Sequence, residues 1–187
     1  MKRSFAITSV LEWQKSTLLW KKIALSLFMA TLTGFLAQIK IHLGFTPVPV
    51  TGQVLGVLLS GVFCGALWGM VSQIFYLSFG IAGIPWFATP THIFGPTAGY
   101  LIGFIFAPFV VGYLIKILKS KTFLTHFLVM LAGVFVIYLC GILWISFYLN
   151  ISFRKVFFLG VYPFVFIDIV KATVSAFFSH QIFRHKI

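Results

Sequence analysis

The chain has 187 residues, 60% of them hydrophobic and 9% charged, with a formal charge of +12. A soluble domain of this size could not cover itself with so few polar side chains, so the composition excludes that class and points to an integral membrane protein. The bases stand at the ends of apolar segments, as topology signals and lipid contacts do, which argues against nucleic acid as a partner.

Residues 1–22 form a basic N-terminal segment. Within it, residues 4–20 read either as an amphipathic segment lying at the membrane surface, with Val10, Trp13, Thr17 and Trp20 on one helical stripe and Lys21-Lys22 closing it, or as a plain basic tail. The first apolar stretch continues without a small-residue cleavage site, so no removed leader is expected. Residues 23–183 read as one membrane domain. Its first span, about 23–39, carries Ser26, Ala30 and Gly34 at four-residue spacing, a ladder of small side chains that admits a close helix from this chain or a partner.

Between Lys40 and Lys116 there is no Lys, Arg, Asp or Glu. A stretch this long crosses a bilayer more than once, and its breakers mark the turns: Pro47 and Pro49, then Cys64-Gly65-Ala66, then Pro85, Pro90 and Pro96. The expected spans are 51–63, 67–81 and 97–115. Gly61, Gly65 and Gly69 form one small-residue ladder, and Gly95, Gly99 and Gly103 another. A fifth span at 124–147 follows the basic turn at Lys116, Lys119 and Lys121. A sixth, at 163–178, begins near Pro163, since proline suits a first helical turn.

The expected fold is therefore an all-α integral membrane protein, a compact bundle of six transmembrane helices. Placing Lys2, Arg3, Lys15, Lys21, Lys22, Lys116, Lys119, Lys121, Arg184 and Lys186 inside leaves Lys40, Arg154 and Lys155 outside, so both termini are expected to be cytoplasmic.

The chain has two acids, Glu12 and Asp168, and Asp168 interrupts the apolar run Phe164-Val165-Phe166-Ile167-Asp168-Ile169-Val170-Lys171-Ala172. An ionisable residue in a span costs about 2.5–3.5 kcal/mol even on a lenient scale, so Asp168 and Lys171, on one helix face, call for a function. One to two turns below the outer surface, they are placed to recognise a solute. Asp168 would accept N–H bonds, Lys171 would donate to a carbonyl or carboxylate, and Trp86, Phe87, Tyr100, Tyr162 and Phe164 would enclose an apolar body. The helix start at Gly95-Pro96-Thr97 faces the same space, and its N–H groups from Thr97 onward suit an anionic group. His92 is a further candidate carboxylate contact. Read from the residues alone, a proton-coupled carrier or a membrane protein with a structural Asp–Lys pair remains open.

No paired-carboxylate, His-Glu-x-x-His or Gly-x-Ser-x-Gly pattern is present, so no enzyme is expected. A phosphate loop is absent too, and ATP-driven work would fall to another subunit. Cys64 and Cys140 stand apart with no metal-ligand spacing; neither a metal nor a cofactor is expected.

Four stretches together resemble the biotin-specific S components of energy-coupling factor (ECF) transporters, the BioY family. They are Pro47-Val48-Pro49-Val50-Thr51-Gly52-Gln53-Val54-Leu55-Gly56-Val57-Leu58-Leu59-Ser60-Gly61, Gly80-Ile81-Ala82-Gly83-Ile84-Pro85-Trp86-Phe87, Gly95-Pro96-Thr97-Ala98-Gly99-Tyr100-Leu101-Ile102-Gly103-Phe104, and Gly160-Val161-Tyr162-Pro163-Phe164 running on to Asp168 and Lys171. The resemblance implies a six-helix cell-membrane protein that captures biotin at the external face. It also implies a transmembrane scaffold subunit and two ATP-binding subunits as partners, besides membrane lipids. Asp168 and Lys171 match the family's pocket residues, and Gln53, in the first stretch, is grouped with them. Ser26, Ala30 and Gly34 fit the pattern of the family's scaffold contact. The loop Ala88-Thr89-Pro90-Thr91-His92 departs from the family's usual glycine-rich one, so any basic contact of that loop is not carried over.

Overall fold

The structure, a computed structural model, describes residues 17–88, 95–118 and 122–183. Six helices are found among them: α1 (Leu19–Ala37), α2 (Gln53–Ile81), α3 (Ala98–Leu118), α4 (Phe123–Leu149), α5 (Phe153–Gly160) and α6 (Val165–Phe183). Between α1 and α2, β1 (Lys40–Ile41) pairs antiparallel with β2 (Val50–Thr51), with Lys40 opposite Thr51. All helices but α5 are long and apolar enough to cross a membrane.

α2 is not a straight rod. Its 29 residues would extend about 43 Å as one helix, yet Gln53 near its start donates to the Tyr76 hydroxyl at 2.6 Å. Gln73 likewise reaches the Ser60 hydroxyl at 3.2 Å. The chain reverses at Gly65, whose φ of 77° and ψ of −176° interrupt the helix, a backbone open to glycine and strained for other residues. Residues 53–64 and 66–81 are thus antiparallel arms, and the reversal falls in the expected Cys64-Gly65-Ala66 break. The glycine ladder explains how closely they pack. A Cβ on Gly69 would lie 3.0 Å from the Ser60 carbonyl oxygen, and one on Gly61 would lie 2.7 Å from the Pro108 carbonyl of α3.

The other helices pack around this hairpin, with α1 and α3 against α2, α4 against α3, and α6 against α4 and α2. Gly103 fits against Ile137, and Gly99 against Trp144 and the Cys140 carbonyl, so the second glycine ladder forms the α3–α4 seam. The Thr122 side chain caps the start of α4 by accepting from the Thr125 amide, and Asn150, left-handed at φ 50°, ends it. The central core gathers Leu58, Tyr76, Val111, Met130, Ile137 and Ile145.

Three expectations need correction. The first helix starts at Leu19, so Trp20, Lys21 and Lys22 belong to α1 and not to a separate surface segment; residues 1–16 lie outside the described part. α6 begins at Val165, two residues after Pro163, because residues 161–164 form a turn. The polar break at 150–155 leads directly into α5, a helix the apolar pattern did not reveal.

Candidate functional site

A cavity lies where the start of α2, the segments before and after that helix, and the starts of α3 and α6 converge. Its wall is formed by Val48, Pro49, Thr51, Gln53, Val54, Phe87, Ala88, Thr97, Tyr100, Leu101, Phe104, Ile137, Tyr138, Phe164, Asp168 and Lys171. The space open to the centres of water-sized spheres is about 60 Å³, several times the minimum for one ordered water.

At the floor, Asp168 is 4% exposed. Lys171, one turn on along α6, donates to Asp168 Oδ1 at 2.6 Å. Tyr138, on α4, donates to Oδ2, also at 2.6 Å. The carboxylate is thus held from two helices. Each of its oxygens keeps a further acceptor site, because a carboxylate has about four lone-pair positions. Among the described residues this is the one salt bridge, and removing either partner leaves the other charge uncompensated.

Around this floor the wall is apolar and braced from behind. Phe87, Phe104 and Phe164 are buried and supply ring faces. Tyr100 turns its hydroxyl away, donating to the Gly160 carbonyl at 2.6 Å, and presents its ring to the cavity. Gln53 is part of the wall, but its amide is committed: Oε1 accepts from Thr51 at 2.8 Å and Nε2 donates to Tyr76. It works as a brace between the two arms of α2. Thr97 lines the cavity at the start of α3, where the Ala98 amide already bonds the Gly95 carbonyl at 3.1 Å.

The structure therefore brings together Asp168, Lys171, Thr97, Tyr100, Phe87, Gln53 and Phe164, and separates Trp86 and Tyr162 from them. The Trp86 indole donates to the Tyr76 carbonyl at 2.9 Å, and its ring lies against Gly34, behind the wall. Tyr162 is 67% exposed and its ring lies tilted against Phe158. His92 lies outside the described residues. Tyr138 was not anticipated, since one tyrosine in an apolar span looks like any other aromatic until its partner helix is in place.

The small-residue stripe of α1 is also corrected. Ser26 and Ala30 have no exposed surface and Gly34 is buried. Ser26 donates to the Trp68 carbonyl at 3.0 Å. The stripe is filled by α2 and Trp86 of this same chain, which leaves it no surface for a partner. Ala24, Phe28, Thr31 and Phe35 form the outward face instead.

Fold and cavity together define a multi-pass helical membrane protein with a polar-floored site near one end of the bundle. By sequence the chain belongs to the BioY family, whose match covers residues 7–186, and it is a protein of the cell membrane. A probable biotin transporter BioY of Pyrococcus horikoshii is 37% identical over 166 residues, covering 87% of this chain and 96% of that protein. The biotin transporter BioY of Thermotoga maritima is 38% identical over 144 residues, 75% of this chain and 82% of its own. Among solved structures, the S-component for biotin from an ECF-type ABC transporter superimposes with a TM-score of 0.81 at 26% identity, covering 89% of this chain and 93% of that one.

Proposed function

We propose that this chain captures biotin at the external face of the membrane with high affinity, as the substrate-binding subunit of an ATP-driven ECF transporter. The observation that carries the reading is the Asp168 carboxylate, fixed by Lys171 and Tyr138 at the floor of an apolar cavity. The names of the relatives and of the structural neighbour support the same substrate.

The chemistry fits. Biotin's ureido ring offers two N–H donors and one carbonyl. Asp168 accepts the former through its remaining lone pairs and Lys171 donates to the latter. The aromatic wall takes the sulfur ring, and the chain carboxylate lies toward Thr97. No cofactor enters; biotin is the transported substrate.

Counting the two arms of α2 as separate crossings gives six spans and puts both termini on one side. The positive-inside rule makes that side cytoplasmic, so the cavity lies at the external end. The chain has no phosphate-loop sequence, and ATP hydrolysis falls to two ATP-binding subunits working through a transmembrane scaffold. A scaffold contact on α1 then uses its outward face, Ala24, Phe28, Thr31 and Phe35, in place of the buried stripe.

Uptake of labelled biotin into vesicles tests the assembly. Accumulation should require the scaffold and ATP-binding subunits together with ATP. Accumulation by the isolated chain that follows an imposed proton gradient would overturn the proposed coupling.

A further inference from the structure

α5 has eight residues, about 12 Å of helix, too short to cross a bilayer. Its inner side is anchored. Val156 is fully buried, Gly160 sits against Tyr100 and Ile145, and the Leu159 carbonyl accepts from Thr46 at 2.6 Å. Together with the Tyr100 bond to Gly160, these contacts hold α5 rigidly at the end of the bundle where the cavity lies. Its outer side interleaves aromatic and basic groups. Phe153, Phe157 and Phe158 are 60%, 45% and 54% exposed, with Arg154 and Lys155 exposed between them.

Among the described residues those two bases have no counter-charge. Among the described residues Asp168 is the one acid, and it is bonded to Lys171 and Tyr138. Lys40, the other base near this end, donates to the Ala88 carbonyl. Exposed rings beside unpaired bases on an anchored helix match the depth at which acyl chains give way to headgroups, where a lipid phosphate supplies the missing charge. We propose that α5 is a seat for an anionic phospholipid, whose headgroup is held by Arg154 and Lys155 while Phe153, Phe157 and Phe158 pack on its acyl chains.

The test is native mass spectrometry of the full chain released from membranes of mixed phosphatidylcholine and phosphatidylglycerol. The unaltered protein should retain phosphatidylglycerol in preference. R154Q with K155Q should weaken that retention by about fivefold per base, and the charge-preserving swap R154K with K155R should keep it. K21Q with K22Q, which removes as much charge from α1, should also keep it. Equal retention of the two lipids by the unaltered chain, or equal loss in the α5 and α1 variants, would overturn the proposal.

Discussion

Tyr138 and Lys171 reach Asp168 from two helices, and the energetics of the site follow from that. Asp168→Asn removes the charge that makes these bonds strong and leaves Lys171 without its partner. Biotin affinity should fall by at least about 30-fold, equivalent to the roughly 2 kcal/mol of a charge-assisted bond, as titration calorimetry would read. Tyr138→Phe keeps the ring and loses one bond, so a loss of about tenfold in biotin affinity is expected together with a modest drop in melting temperature. A null result for Tyr138→Phe would mean that Lys171 alone orients the carboxylate. The Asp–Lys pair was legible in the sequence because an acid inside an apolar span has few reasons to be there. Tyr138 was not, and neither were the opposite fates of the neighbours Trp86 and Phe87. Their segment has no helical or strand period from which a facing direction can be read.

At the scale of elements, the hairpin in α2 rests on one backbone position. Gly65→Ala places a Cβ on a φ of 77° at a cost of about 1–3 kcal/mol, so the thermal midpoint in detergent should drop by several degrees while the helical content stays. The α1 stripe is filled from within the chain, and not by the scaffold that the family resemblance implied. Ala30→Leu pushes a branched side chain into a site with no exposed surface, where overpacking costs about 1–3 kcal/mol. It should lower thermal stability of the isolated chain, a readout that a partner contact alone would leave unmoved. Span positions were legible because prolines, glycines and bases punctuate apolar runs. α5 and the β1–β2 ladder were not, since eight and two residues are too few to show a period. The direction of the α1 stripe was also hidden: small-residue spacing says that a close neighbour exists and leaves its identity open.

For the whole molecule, packing and site are one construction. The arms of α2 bring Gln53 to Tyr76, the glycine seam seats α3 on α4, and α4 then carries Tyr138 to Asp168 on α6. The central claim is that this convergence is a biotin site, and equilibrium binding of labelled biotin to the purified chain tests it most directly. Saturable binding to one site per chain is expected, displaced by analogues that keep the ureido group and strongly weakened by both Asp168→Asn and Lys171→Ala. Saturable binding left unchanged by both substitutions, or no saturable binding by the folded chain, would contradict it.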